Sequence, residues 1–287
     1  MNFLNSSSGA RLAFEDTGTG LPIVFLHPTP LDHDYWRPMI ERLQGPAAPV
    51  RAAAPVRAIV PDLRGHGVSE LGVTLPVGGF NRVSNAPVLT MRQLAHDTLE
   101  LLDHLSVQHA IFVGCSIGGY VLLELWRQAP ARIRGLAFVC SKPQPDNEAG
   151  LEKRVGNIEQ ARAGNVSAMF DGMAQTLIGA TARSKRPAIV SELRRRMKLT
   201  RDALVSVQAG LAVRPDSVPT VATISVPILA LAGGEDGSVT PSEMEAFKAA
   251  PGGCTYHLLP NAGHLAAYEQ PEKTAEVMTR WLAETQI

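Results

Sequence analysis

The 287-residue sequence holds few cysteines: three, at Cys115, Cys140 and Cys254. Their number is odd, their spacing wide and no C-x-x-C pair occurs. This excludes a disulfide framework and a paired-cysteine zinc site, and it points to a reducing cytoplasm. Neither sign of charge predominates, with 27 Lys+Arg against 27 Asp+Glu. There is thus no electrostatic reason to expect nucleic acid or an anionic membrane as partner, and a small-molecule ligand is expected instead. Long apolar runs are missing too. Ile23 to Leu26, Ile111 to Val113, Leu136 to Cys140 and Ile228 to Ala232 are strand-length, far short of the roughly 18 residues of a membrane-spanning helix. The Asn/Ser-rich start, Met1 to Arg11, lacks a basic segment followed by an apolar one, so a secretory signal is not expected. Homo-oligomerisation is left open.

What is present is ordinary globular composition, 45% hydrophobic and 19% charged. At about 150 residues per domain the length suits one large domain or a core with a sizeable insertion. Up to residue 140, short apolar strands alternate with helical patterns: Leu12 to Asp16, Leu21 to Leu26, Ala58 to Pro61, Ala110 to Val113 and Arg134 to Cys140 as strands. The intervening helices are Trp36 to Leu43, Met91 to Leu105 and Gly119 to Gln128. This is the rhythm of βα units on a mostly parallel sheet with helices on both faces. Residues 47–58 repeat the hexapeptide AAPVRA, read as inserted loop running into a strand, and 71–89 read as an extended loop. From 141 to 221 strand signal disappears and helical stretches follow one another. Strands resume at Val226 to Ala232 and Thr255 to Leu259, each followed by a helix. The predicted organisation is an α/β core of residues 1–140 and 222–287, split by a helical cap of residues 141–221.

Gly114-Cys115-Ser116-Ile117-Gly118 follows a strand and opens a helix, the context of a G-x-S-x-G nucleophile elbow. A nucleophile on so sharp a turn has strained backbone, and side chains two positions either side would collide. Centring the motif on Cys115 would put Val113 and Ile117 in the crowded positions, so Ser116 is the candidate nucleophile. A serine hydroxyl needs a base, and the base a carboxylate to orient it. His264, in Asn261-Ala262-Gly263-His264, and Asp236, in Gly233-Gly234-Glu235-Asp236, both follow strands and occur in the chain order Ser, acid, His. Glu235 and Asp146 are the rival acids. The oxyanion donors expected are the N–H of Ile117 and, between the prolines of His27-Pro28-Thr29-Pro30, the N–H of Thr29. Candidate pocket walls are Pro28, Met169, Met173 and Leu265. The basic run Arg194-Arg195-Arg196-Met197-Lys198 reads as a solvated helix face. No metal or organic cofactor is implied, because neither a ligand cluster nor a Gly-rich nucleotide loop is present.

Together with His27 to Asp32, Trp36, Asp62-Leu63-Arg64-Gly65-His66-Gly67-Val68-Ser69, Arg214-Pro215-Asp216-Ser217 and Glu269-Gln270-Pro271-Glu272, these motifs resemble the α/β-hydrolases with a helical cap. The resemblance runs over nearly the whole chain and is strongest to the esterase, cofactor-free haloperoxidase (perhydrolase) and 3-oxoadipate enol-lactonase group. Where Pro28 stands that group usually has glycine. The resemblance implies that the Asp62 to Ser69 segment ties loops together beside the site. The activity expected is serine hydrolysis of a small carboxylic ester, with lactone hydrolysis, perhydrolysis and C–C hydrolysis as neighbours and a ligand-binding sensor as a rival of another class. The cap is expected to set specificity rather than chemistry.

Overall fold

The computed structural model describes residues 1–45, 55–74 and 86–285. Most of the AAPVRA repeat and residues 75–85 of the long loop lie outside the described residues.

Eight strands form one sheet: β1 (Asn2–Asn5), β2 (Arg11–Thr17), β3 (Leu21–Leu26), β4 (Val56–Pro61), β5 (Ala110–Cys115), β6 (Ile133–Val139), β7 (Ile228–Gly233) and β8 (Cys254–Leu259). Their spatial order is β1-β2-β4-β3-β5-β6-β7-β8. The β1–β2 and β2–β4 pairs are antiparallel and all others parallel. Every residue of β5 and β7 is buried, as a parallel strand covered on both faces requires. The helices before β6 are α1 (Arg37–Gln44), α2 (Met91–His104) and α3 (Ile117–Gln128), with α2 packed on α3.

Between β6 and β7 the chain runs through α4 (Glu148–Arg162), α5 (Val166–Leu177), α6 (Ala180–Lys185), α7 (Ala188–Arg196), α8 (Arg201–Ala212) and α9 (Val218–Val221). Asn147 and Thr200 cap α4 and α8 by accepting from Gly150 and Ala203 N–H. α4 packs on α8, and α5 on α7. After β7 come α10 (Pro241–Met244), a 3-10 turn (Glu245–Ala249), β8, α11 (Ala266–Glu269) and α12 (Pro271–Glu284), the last packing on α1. Pro241 and Pro271 stand at the first helical position, where the missing N–H is not needed.

Four elements lie outside the sequence expectation. β1 is a mostly exposed edge strand of sequence NFLN, and α6, α9 and α11 have four to six residues each, too few for an apolar period. The expected helix Pro241 to Ala249 is a short α-helix that tightens into 3-10 geometry.

Register brings the strand ends together. Leu26 pairs with Gly114, Cys115 with Val139 and Gly233 with Leu259. The loops after β3, β5, β7 and β8 therefore leave one carboxyl edge, where ligands of open α/β sheets bind.

Candidate active site

Ser116 sits between β5 and α3 with φ 53° and ψ −116°, a left-handed conformation that costs a non-glycine residue energy and clusters at functional sites. Its N–H donates to Val139 O at 3.1 Å, and its carbonyl accepts from Gly119 N–H at 2.9 Å and from the Ser141 hydroxyl at 2.9 Å. The glycines are explained separately. A Cβ on Gly114 would lie 2.4 Å from the Gly118 carbonyl carbon, whereas one on Gly118 would lie 2.3 Å from the Leu26 carbonyl of β3. The second glycine thus answers to the neighbouring strand rather than to a clash across the elbow.

His264 Nδ1 is 2.8 Å from Asp236 Oδ2, both side chains being almost wholly buried. The other carboxylate oxygen accepts from the N–H groups of Ser238 and Val239, at 2.7 and 3.0 Å. Asp236 is therefore fixed by main chain on one side and offers the imidazole its other oxygen, and among the described residues His264 Nε2 has no partner. The rival acids are engaged elsewhere. Glu235 accepts from Thr181 N–H at 2.8 Å and from its hydroxyl. Asp146 accepts from Arg154 Nε at 2.9 Å and Arg214 Nη2 at 2.8 Å. Against the burial that raises it, these guanidiniums hold the Asp146 carboxyl down to about 2.

Cys115 is fully buried and accepts a hydrogen bond from the Tyr35 hydroxyl at 3.2 Å. Burial pushes its thiol far above the ordinary range, away from the thiolate that a cysteine nucleophile needs.

Ser116, His264 and Thr29 line one cavity of about 500 Å³, within the usual range for small ligands. Among the described residues no hydrogen bond joins the Ser116 hydroxyl to His264, and such bonds commonly tighten only with substrate in place. The N–H groups of Thr29 and Ile117 donate to no acceptor among the described residues. Both are free, as oxyanion donors must be. Thr29-Pro30 is a cis peptide.

Behind Thr29 stands a group that sequence reasoning placed only as loop packing. His66 is wholly buried, with Nδ1 3.0 Å from Arg64 O and Nε2 3.0 Å from Thr29 Oγ1. A carbonyl can only accept, so Nδ1 carries the proton and Nε2 takes the threonine hydroxyl. Beside it, Asp62 accepts from Val68 N–H and His33 N–H, and His33 Nδ1 lies 2.7 Å from its carboxylate. Position in the D-x-R-G-x-G motif was the available signal.

Of the expected pocket walls, Met173 lines the cavity. Pro28 and Leu265 do not: each is buried, Pro28 with its carbonyl accepting from Leu31 N–H and Leu265 with its side chain in the core. Met169, one turn before Met173 on α5, is not part of the lining, although both methionines pack against the apolar core. Lys142, Lys153, Arg154, Asn157 and Gln208 complete much of the lining, and composition had not singled them out. The basic run diverges: Arg194 pairs with Asp171, while Arg196 donates to Asp34 O.

Among the described residues one group, His96, Asp97 and Glu100, has three metal-type ligands close together. Asp97 is already held by Arg64 through Nε at 2.8 Å and Nη2 at 2.6 Å, and none of the three lines the cavity.

A model of the alpha/beta hydrolase family matches residues 23–277. The chain belongs to the alpha/beta hydrolase family. Among curated relatives of this alpha/beta hydrolase, 3-oxoadipate enol-lactonase 1 of Acinetobacter baylyi is 25% identical over 277 residues, covering 92% of this chain and 89% of that protein. A thermophilic esterase from Thermogutta terrifontis superposes with a TM-score of 0.85 at 29% identity, covering 100% of both chains. The enol-lactonase from Burkholderia xenovorans LB400 superposes with a TM-score of 0.81 over 98% of this chain and 99% of that one. At 22% identity the latter is a likeness of fold. Among the described residues no helix is long and apolar enough to cross a membrane.

Proposed function

We propose that this alpha/beta hydrolase cleaves carboxylic esters of small molecules through an acyl-enzyme on Ser116. The observation that carries the reading is the strained Ser116 and the Asp236-oriented His264 on one cavity with two unused N–H donors. His264 Nε2 takes the hydroxyl proton as Ser116 Oγ attacks the carbonyl carbon, and Asp236 stabilises the imidazolium that results. The oxyanion is received by the N–H groups of Thr29 and Ile117. His264 then passes its proton to the departing alkoxide. Water, deprotonated by the same imidazole, adds to the acyl carbon, and collapse of that second intermediate releases acid and regenerates Ser116. Residues 141–221 act as the cap over the site, and residues 1–140 and 222–287 as the catalytic core.

Likeness to an esterase at 29% identity over the whole chain supports the ester reading. Lactones are the second reading, favoured by the 25% identity to 3-oxoadipate enol-lactonase 1. The test is turnover of p-nitrophenyl acetate and butyrate alongside a panel of lactones. Ser116→Ala is expected to lower turnover by roughly 10⁶-fold, as loss of a triad nucleophile does, while Cys115→Ala retains activity. Absence of serine-dependent turnover of any ester or lactone would favour a binding protein on the hydrolase scaffold.

A further inference from the structure

The cavity is walled in part by three polar side chains from the inserted helices, Arg154 and Asn157 of α4 and Gln208 of α8. Gln208 is only 2% exposed. Its Oε1 accepts from Arg154 Nη1 and Asn157 Nδ2, both at 3.2 Å. Two donors on the carbonyl oxygen fix which way the amide points, so Nε2 is left as a donor, and no described residue accepts from it. Arg154 spends Nε on Asp146, and its Nη2 likewise has no acceptor among the described residues. Neither donor is fully buried, and the Arg154 side chain is only part-buried; both residues line the cavity, and the cavity is the place from which acceptors can come.

The charge around the cavity has the same sense. Asp146 is one carboxylate shared between two guanidiniums, those of Arg154 and Arg214. Lys142 is matched by Glu243 at 2.5 Å. Lys153 lines the cavity with no carboxylate partner among the described residues. Cations therefore outnumber carboxylates at a site whose proposed reaction needs only a neutral carbonyl.

We infer that Gln208, Arg154 and Asn157 form a recognition station for a carboxylate, and that the substrate is an ester or lactone carrying a second, unreactive carboxylate group. The inference rests on the ester-hydrolase reading and deepens it by naming the substrate class. Gln208 Nε2 and Arg154 Nη2 donate to the two carboxylate oxygens, and Lys153 adds charge from the rim. The inserted helices thus read the end of the substrate that does not react.

The test compares mono-p-nitrophenyl glutarate with p-nitrophenyl 5-methylhexanoate, which has the same shape with two methyl groups in place of the carboxylate oxygens. For the native protein kcat/KM should be higher for the glutarate ester. Gln208→Glu keeps the acceptor for Arg154 and Asn157 but removes the donor and adds a negative charge. It and Arg154→Met should each shrink the ratio of the two kcat/KM values by roughly 10- to 100-fold, the usual weight of a hydrogen bond to a charged group. Glutarate itself, titrated calorimetrically into the Ser116→Ala protein, should bind and should bind more weakly when either substitution is added. A native ratio at or below one, or a ratio that neither substitution moves in proteins with native circular dichroism, overturns the inference. If neither variant folds, the native ratio and the glutarate titration decide. Ser116→Ala protein that hydrolyses both esters at the native rate would sink the acyl-enzyme reading instead, with glutarate binding still judging the station.

Discussion

The backbone N–H of His264 donates to the backbone carbonyl of Leu177 at 3.0 Å. Residue 177 ends α5 of the inserted helices, so the candidate base takes part of its main-chain support from outside the α/β core. Two carboxylates extend the contact. Glu269 accepts from the N–H of Gly179 at 2.9 Å, of Gly263 at 3.0 Å and of Leu265 at 3.3 Å, while Glu235 takes Thr181. The stretch from 177 to 181 is thereby seated on both loops that carry Asp236 and His264. A segment expected to set specificity alone is thus also hydrogen-bonded to the candidate base.

This seating predicts that substitutions far from substrate reach the chemistry. Glu269→Ala leaves buried N–H groups of Gly179 and Gly263 without an acceptor, each costing about 1–3 kcal/mol. A denaturant melt should show the loss. Gly179→Ala is the sharper probe, because its Cβ would lie 2.5 Å from Glu235 Oε2 and 2.7 Å from Gly263 N. The main chain must move, and with it the imidazole. We expect kcat to fall roughly 100-fold, the scale of an ångström-sized misplacement, with KM much less affected. A folded Gly179→Ala protein with native kcat would show that this contact does not position His264.

The Thr29 hydroxyl gives a second prediction. Its proton is committed to His66 Nε2, so the oxyanion donor proposed at this residue is the main-chain N–H and not the side chain. Thr29→Val keeps the N–H and the shape but loses the bond to His66. Its kcat should drop by less than the 10²- to 10³-fold typical of a lost oxyanion donor. A drop of that full size in steady-state kinetics, with the fold retained, would transfer the role to the hydroxyl.

The core and the three residues proposed as a triad were legible because each has a local signature. Gly114 to Gly118 demands a tight strand-to-helix turn, and Asp236 and His264 each follow an apolar strand with turn residues. The pocket was not legible. Whether Met169 or Met173 faces the cavity depends on how α5 lies over the core, and helical spacing is the same for both. Gln208 lies in α8, a helix buried along most of its length with Ser206 a second buried polar residue, where a polar side chain gives no sign of what it faces. The supports of His264 from Leu177 and Glu269 were invisible for another reason: Leu177 contributes a backbone carbonyl, which every residue has.

Two buried histidines predict how stability depends on pH. Burial lowers His27 to about 4 and, with help from His27 as a neighbouring positive charge, His66 to about 3. Each is neutral in the fold, with Nδ1 on a carbonyl and Nε2 accepting, His27 from Leu63 N–H at 2.9 Å. In the unfolded chain a histidine protonates near 6.5. Between about pH 6.5 and pH 4 the unfolded state therefore binds more protons than the native state, and stability is lost as pH falls through that window. At about 1.4 kcal/mol per pKa unit the two together account for a loss on the order of 5 kcal/mol by pH 4. His33 works the other way: although burial lowers it, hydrogen bonding to Asp62 raises it overall, which offsets part of the loss. Urea unfolding at pH 7 and pH 4.5 should show a clear drop in midpoint. His27→Gln, which places an acceptor oxygen near Nε2 and cannot be protonated, should remove a substantial share of the pH dependence while lowering stability at pH 7. An unfolding midpoint flat across that range in the native protein would mean that these imidazoles titrate alike folded and unfolded.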